Sequence, residues 1–216
     1  MNGVKVGIIG IGNMGSAHLR MITGGNIPDM TVTAVCDINP ERLKAAKAEY
    51  PDIAAFGDYT ELLKSSDTDA VIIAVPHPLH AKIAIEAFEY GKHVLVEKPM
   101  DITVSAAEKL CAAARKSGKV FAVMFNQRTN GLFREARRIV NSGELGKLKR
   151  SVWIITNWYR TQSYYDSGSW RATWRGEGGG VLLNQAPHNL DIWQWICGKP
   201  SAVTAFCNVG KFHNIE

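Results

Sequence analysis

The chain is 216 residues long, 46% hydrophobic and 21% charged, with a net charge of +5. This balance describes a globular chain with a sizeable core and excludes a disordered one. No apolar run approaches the ~18 residues that a membrane-spanning helix needs, and the N-terminus enters Val4–Ile9 without the pattern of a secretory signal, so a cytoplasmic address without a membrane partner is expected. None of Cys36, Cys111, Cys197 and Cys207 forms a CxxC pair, so no metal site is expected. Residues 1–125 hold 13 Lys and Arg against 14 Asp and Glu, residues 126–216 hold 12 against 6, and all six tryptophans fall in the second stretch. Two regions with different tasks, 1–125 and 126–216, are therefore expected. Basic residues among aromatics also suit nucleic acid, but no run of like charge and no nucleic-acid motif occurs, so that partner is not expected.

In the first region short apolar runs alternate with amphipathic stretches. Val4–Ile9 reads as a strand, followed by a helix from Asn13, a strand over Thr31–Cys36, a helix from Pro40, a short strand near Ile53–Phe56 and a strand over Ala70–Val75. A helix over Pro78–Tyr90, a strand over His93–Val96, a helix over Thr103–Lys116 stopped at Gly118 and a strand over Val120–Phe125 complete it. Runs such as Val71-Ile72-Ile73 are apolar on both faces, as strands covered by helices on both sides are. The fold class is α/β, a doubly wound parallel sheet whose ligand crevice lies at the carboxyl ends of the strands. In the second region a helix over Gly131–Asn141 precedes an alternating strand over Leu148–Trp158. A loop rich in Tyr, Ser and Gly leads to a helix from Gly178–Gly180 to Cys197, and Ala202–Asn208 reads as one more strand. Two strands cannot cover their own faces, so a further segment after Glu216 is expected.

Four clusters carry chemistry. Gly10-Ile11-Gly12-Asn13-Met14-Gly15 sits between the first strand and the first helix, where glycines permit a tight turn and close approach of a pyrophosphate to a helix N-terminus. Asp37, ending the second strand, suits the ribose hydroxyls of NAD and repels the 2′-phosphate of NADP; Arg42, able to neutralise that phosphate, keeps NADP open, and a turn or capping role before Pro40 is the alternative for Asp37. Val75-Pro76-His77-Pro78-Leu79-His80 follows a strand at the same crevice, with Pro78 opening the next helix and His77 and His80 open between cofactor wall and surface.

Glu97-Lys98-Pro99 ends another strand. Its lysine can hydrogen-bond a substrate hydroxyl and stabilise a developing alkoxide, and Glu97 can pair with it; a solvated surface pair is the alternative, and the Lys98–Pro99 bond admits a cis form. In Gly178–Asp191, Asn184 and His188 stand four apart, one helical face if the helix is continuous. His188 is suited to general-base work, Pro187 kinks the helix or restarts it, and a satisfied core histidine is the alternative for His188.

With these motifs the whole chain resembles the Gfo/Idh/MocA family of NAD(P)-dependent oxidoreductases: the GxGxxG, Glu97-Lys98-Pro99 and the GGGxLxxxxxH stretch ending at His188. The resemblance implies a Rossmann domain followed by an α/β domain with an open, mainly antiparallel sheet that supports homo-oligomers. It implies hydride transfer between NAD or NADP and a secondary alcohol of a sugar, cyclitol or related polyol. Lys98 then lies beside nicotinamide and substrate, His188 takes the base position, and Trp158, Tyr159, Arg160, Trp170 and Arg171 line the sugar side. A glycosidase that oxidises its substrate transiently and a non-catalytic dinucleotide-binding regulator are the competing readings; retention of both Lys98 and His188 argues against the regulator. Two departures stand out. Asn184 replaces an Asp common in the family's polyol dehydrogenases and cannot ionise, and family members continue well past residue 216.

Overall fold

The computed structural model describes every residue except 1–2, 66, 157–158 and 209–211. The chain divides into two compact units, Met1–Met124 and Phe125–Glu216.

In the first unit the strands are β1 (Val4–Ile9), β2 (Met30–Cys36), β3 (Ala54–Phe56), β4 (Ala70–Ile73), β5 (His93–Val96) and β6 (Phe121–Val123). They form one parallel sheet in the order β3-β2-β1-β4-β5-β6. Between them run α1 (Asn13–Thr23), α2 (Pro40–Glu49), α3 (Tyr59–Lys64), α4 (His80–Glu89) and α5 (Val104–Ser117). The strand near Ile53–Phe56 is present as β3. Helix α3 is not announced by the sequence pattern, because a six-residue element shows too little periodicity; Asp58 caps it by accepting from Thr60 N, and its Leu62 and Leu63 are completely buried.

Both faces of the sheet are covered, as the unbroken apolar runs predict. Ile9, Val71, Ile73, Val94 and Val96 pack on one face with α3, α4 and α5, and Val6, Ile8, Val32, Val35 and Ile72 pack on the other with α1 and α2. Each fully buried Val or Ile contributes about 1.5–3 kcal/mol. Along β2 the register slips opposite Val6/Gly7, so that Val32 and Ala34 face consecutive residues of β1 and Thr33 is the extra residue. The order reverses between β1 and β4, and the turns after β1, β2, β4 and β5 therefore converge at one crevice.

The second unit is helical among its described residues: α6 (Gly131–Ser142), α7 (Gln162–Asp166), α8 (Val181–Asn184) and α9 (Pro187–Cys197). Here two expectations are corrected. Residues 148–156 and 202–208 form no strand, so the mainly antiparallel sheet is not formed among the described residues; the last two positions of the first segment, 157–158, lie outside them. Alternation is not sufficient, because a strand exists only when a neighbour takes its N–H and C=O groups, and Val152, Ile154, Val203 and Phe206 are exposed. The single helix read over 178–197 is two helices. Pro187 lacks an N–H and clashes with the carbonyl four residues back, so α8 stops at Asn184 and Pro187 opens α9 at a position where proline fits.

Candidate active site

The turn after β1 is built around two close approaches. Gly10 has φ +87°, and a Cβ on it would lie 2.7 Å from the Ala74 carbonyl oxygen. A Cβ on Gly15 would run into the Gly10 carbonyl, which is how helix α1 packs against the strand it follows. Gly12 differs: a Cβ there would meet only Arg42 Nη1, at 3.8 Å, with open space beyond. Gly12 also precedes α1 without a side-chain cap, so the N-cap residue offers no side-chain acceptor to the first-turn N–H groups of Asn13 and Met14. A concave backbone with open space at Gly12 and an uncapped 11-residue helix is the shape and charge that a pyrophosphate requires.

Asp37 joins this turn. Its Oδ2 accepts from Ile11 N at 2.9 Å and from Arg42 Nη1 at 3.3 Å, and its Oδ1 accepts from Asn39 N at 2.9 Å. The carboxylate is buried while Arg42 is half exposed. Oδ1 keeps acceptor capacity for one more donor, which a ribose hydroxyl fits. The helix-capping role belongs to Asn39, which accepts from Glu41 N and Arg42 N. Gly10–Gly15, Asp37 and Arg42 are thus brought together.

After β4, Val75 is half buried against the Gly10 turn and Pro76 is exposed, while His77 is buried at 4% exposure. His80 is 1% exposed, with Nδ1 2.6 Å from the Pro99 carbonyl and Nε2 2.8 Å from the Val75 carbonyl. Both ring nitrogens lie against backbone carbonyls, so His80 is not a surface residue. Burial holds its pKa below the ordinary histidine value, against the opposing pull of the two carbonyls and of Glu97 and Asp101.

After β5, Glu97 meets a partner that the sequence does not announce. Glu97 is 7% exposed, and its Oε1 lies 2.8 Å from Nε2 of buried His18 on α1. Its Oε2 accepts from the Lys98 backbone N–H at 3.3 Å. Lys98 is half buried, and the Lys98–Pro99 bond is cis. His18 was passed over by sequence reading, although its place three residues after Gly15 puts it on the buried side of α1.

In the second unit Asn184 is buried and its Nδ2 donates to Glu177, a carboxylate 2% exposed. Glu177 is the second residue that sequence reading missed; a lone acid directly before three glycines was its signal. His188, in the first turn of α9, meets Phe125 edge-on, with ring centroids 6.0 Å apart. Because the helix breaks before Pro187, Asn184 and His188 do not share one helical face. Arg171 stacks over Tyr164 at 4.4 Å and Trp170 at 4.7 Å and donates to the Tyr164 hydroxyl, and Arg160 lies 5.1 Å over the same Tyr164 ring. Tyr159 is 71% exposed and faces His213. Trp158 lies outside the described residues.

A parallel sheet in this order, with a glycine-rich turn and a buried aspartate at its switch point, defines a Rossmann-type dinucleotide-binding domain. Comparison with known proteins makes this specific. The chain belongs to the GFO_IDH_MocA oxidoreductase family with an NAD-binding Rossmann fold, whose model matches residues 4–125, and the GFO/IDH/MocA C-terminal domain model matches residues 133–214. The 1-carboxy-3-chloro-3,4-dihydroxycyclo hexa-1,5-diene dehydrogenase of Comamonas testosteroni is 31% identical over 88% of this chain and 46% of its own length. Inositol 2-dehydrogenase of Salmonella typhimurium is 34% identical over 67% of this chain and 43% of its own length. The solved WlbA dehydrogenase of Chromobacterium violaceum, in complex with NADH and UDP-GlcNAcA, superposes with a TM-score of 0.88 at 30% identity over 100% of this chain and 61% of that one. The chain thus spans about half the length of the curated relatives it matches.

Proposed function

We propose that this chain carries the dinucleotide-binding unit and part of the substrate unit of a dehydrogenase acting on a secondary alcohol of a sugar, cyclitol or related polyol. The observation that carries the reading is the open space in front of Gly12, above the uncapped N-terminus of α1 and beside Asp37. Gly10 and Gly15 hold the turn, and the helix N-terminus takes the pyrophosphate. Asp37 Oδ1 accepts from the ribose. Arg42 is already held on Asp37 Oδ2, and the buried carboxylate repels a 2′-phosphate, which supports NAD as the preferred cofactor. When bound, the nicotinamide supplies a hydride acceptor at C4.

The chain's own residues do the rest. His188 would take the proton of the hydroxyl borne by the carbon that gives up hydride, so that a ketone is left, and Lys98 Nζ would donate to that oxygen as negative charge grows on it. Arg160, Tyr164, Trp170 and Arg171 form an aromatic and guanidinium cluster suited to an apolar sugar face and its hydroxyls. The activities for which the relatives are named, on inositol and on a dihydroxycyclohexadiene carboxylate, support an alcohol on a six-membered ring.

The test is Lys98→Ala in the whole protein, screened with NAD against cyclitols and sugars. Turnover is expected to fall by about 10²–10⁴-fold while the NAD-induced rise in melting temperature is kept. Unchanged turnover removes Lys98 from the chemistry, and no rise with NAD in the parent protein removes the cofactor assignment.

A further inference from the structure

The turn that carries Lys98 is gripped from both sides by buried polar side chains that the chemistry itself does not use. On one side His18 Nε2 and Glu97 Oε1 are 2.8 Å apart, with the two side chains 11% and 9% exposed. On the other side His80 spans the Pro99 and Val75 carbonyls at 2.6 and 2.8 Å. Glu97 then uses its second oxygen on the Lys98 N–H, and its own N–H donates to Ile73 O at 2.9 Å. The Lys98 N–H and the Pro99 carbonyl, one on each side of the Lys98 Cα, are therefore both fixed by side chains.

Packing alone does not call for this arrangement. Removing a carboxylate from water costs several kcal/mol, and two apolar side chains of the same volume fill such a site at no loss of stability. A His–carboxylate pair adds direction: it fixes one Glu97 rotamer, and with it the plane of the Lys98 amide. The pair also reaches from α1, whose first turn faces the pyrophosphate position, to the end of β5, so one contact ties the cofactor-binding helix to the lysine turn.

We propose that His18, Glu97 and His80 are positioning residues that set where the Lys98 amine stands relative to the dinucleotide. The assignment rests on the catalytic role given to Lys98 above, and gives Glu97 the support of the turn. Holding the backbone on both flanks removes most of the ordering cost of bringing a flexible lysine to one point.

Competitive labelling of the ligand-free chain with acetic anhydride, read peptide by peptide against exposed Lys44, measures the Lys98 amine directly. His18→Leu and Glu97→Gln are expected to change the relative Lys98 labelling rate by about threefold or more, the effect of half a pKa unit. His18→Gln, whose amide N–H replaces the imidazole donor, is expected to stay within about twofold of the parent. In the whole protein His18→Leu and Glu97→Gln are expected to lower kcat with little change in KM for NAD. Equal labelling in all variants that melt cooperatively overturns the proposal, as does a His18→Gln variant that behaves like His18→Leu. Glu97→Gln preserves shape and answers the question if His18→Leu does not fold. Lys98→Ala run in parallel separates the two claims: full turnover there defeats the catalytic reading, whereas lost turnover with unchanged labelling defeats only the positioning one.

Discussion

Gly10 and Gly12 stand two residues apart in one turn, yet alanine at each should fail in a different way. At Gly10 the backbone holds φ +87°, and a methyl would lie 2.7 Å from the Ala74 carbonyl oxygen and 2.9 Å from Val75 Cγ1. Left-handed strain of about 1–2 kcal/mol and overpacking of about 1–3 kcal/mol give about 2–5 kcal/mol of destabilisation for Gly10→Ala. At Gly12 φ is −69°, which alanine adopts, and the methyl meets only Arg42 Nη1 at 3.8 Å. Gly12→Ala should therefore keep its stability within about 0.5 kcal/mol. What it loses is room for the pyrophosphate. In the parent chain NAD at about 100 times its Kd adds about 2.7 kcal/mol, near 8 °C in Tm at about 3 °C per kcal/mol. Thermal melts with and without NAD read both effects at once: a low Tm for Gly10→Ala, and a normal Tm without a ligand shift for Gly12→Ala. A Gly12→Ala protein that keeps the full shift, or that melts as low as Gly10→Ala, refutes the reasoning.

Asp37→Ser removes the charge that repels a 2′-phosphate and releases Arg42, so preference should move toward NADP by about tenfold or more, 1.4 kcal/mol, in paired melts with the two cofactors. His80 has a lowered pKa in the folded state, so its contribution to stability is complete above the unfolded value near 6.5 and is lost as pH falls toward the folded value. Urea melts from pH 7 to 5 should fall more steeply for the parent than for His80→Gln, by at most about 1.4 kcal/mol per pH unit; parallel lines would disprove the contribution. Burial pushes the Cys36 thiol up to about 12. Iodoacetamide at pH 8 should thus modify exposed Cys207 well before Cys36, and early labelling of Cys36 in native protein would contradict its place in the core.

The sheet was legible because its signal is local. Val71-Ile72-Ile73 and Val6 to Ile9 are apolar without interruption, and each strand is followed by a turn or helix cap within a few residues. The glycine-rich turn was legible for the same reason: its six residues are contiguous. The supports of the site were not, because each is a meeting of distant residues. His18 and Glu97 are 79 positions apart, and His80 and Pro99 are 19 apart, so neither pairing leaves a pattern in a short window. A buried histidine between two carbonyls reads in sequence as any histidine at the start of a helix. In the second unit the local signal misled: the alternation in 148–156 is real, but pairing depends on a partner that a single segment cannot specify.

The sheet also limits how copies of this protein can meet. Its outermost strands, β3 and β6, are only three residues each. Such short margins offer a foreign strand too few unpaired N–H and C=O groups to extend the ladder, so the dinucleotide unit terminates its own sheet. If the whole protein assembles into oligomers, the contact is expected to be made by side-chain packing on other surfaces and not by continuing this sheet from one copy into the next.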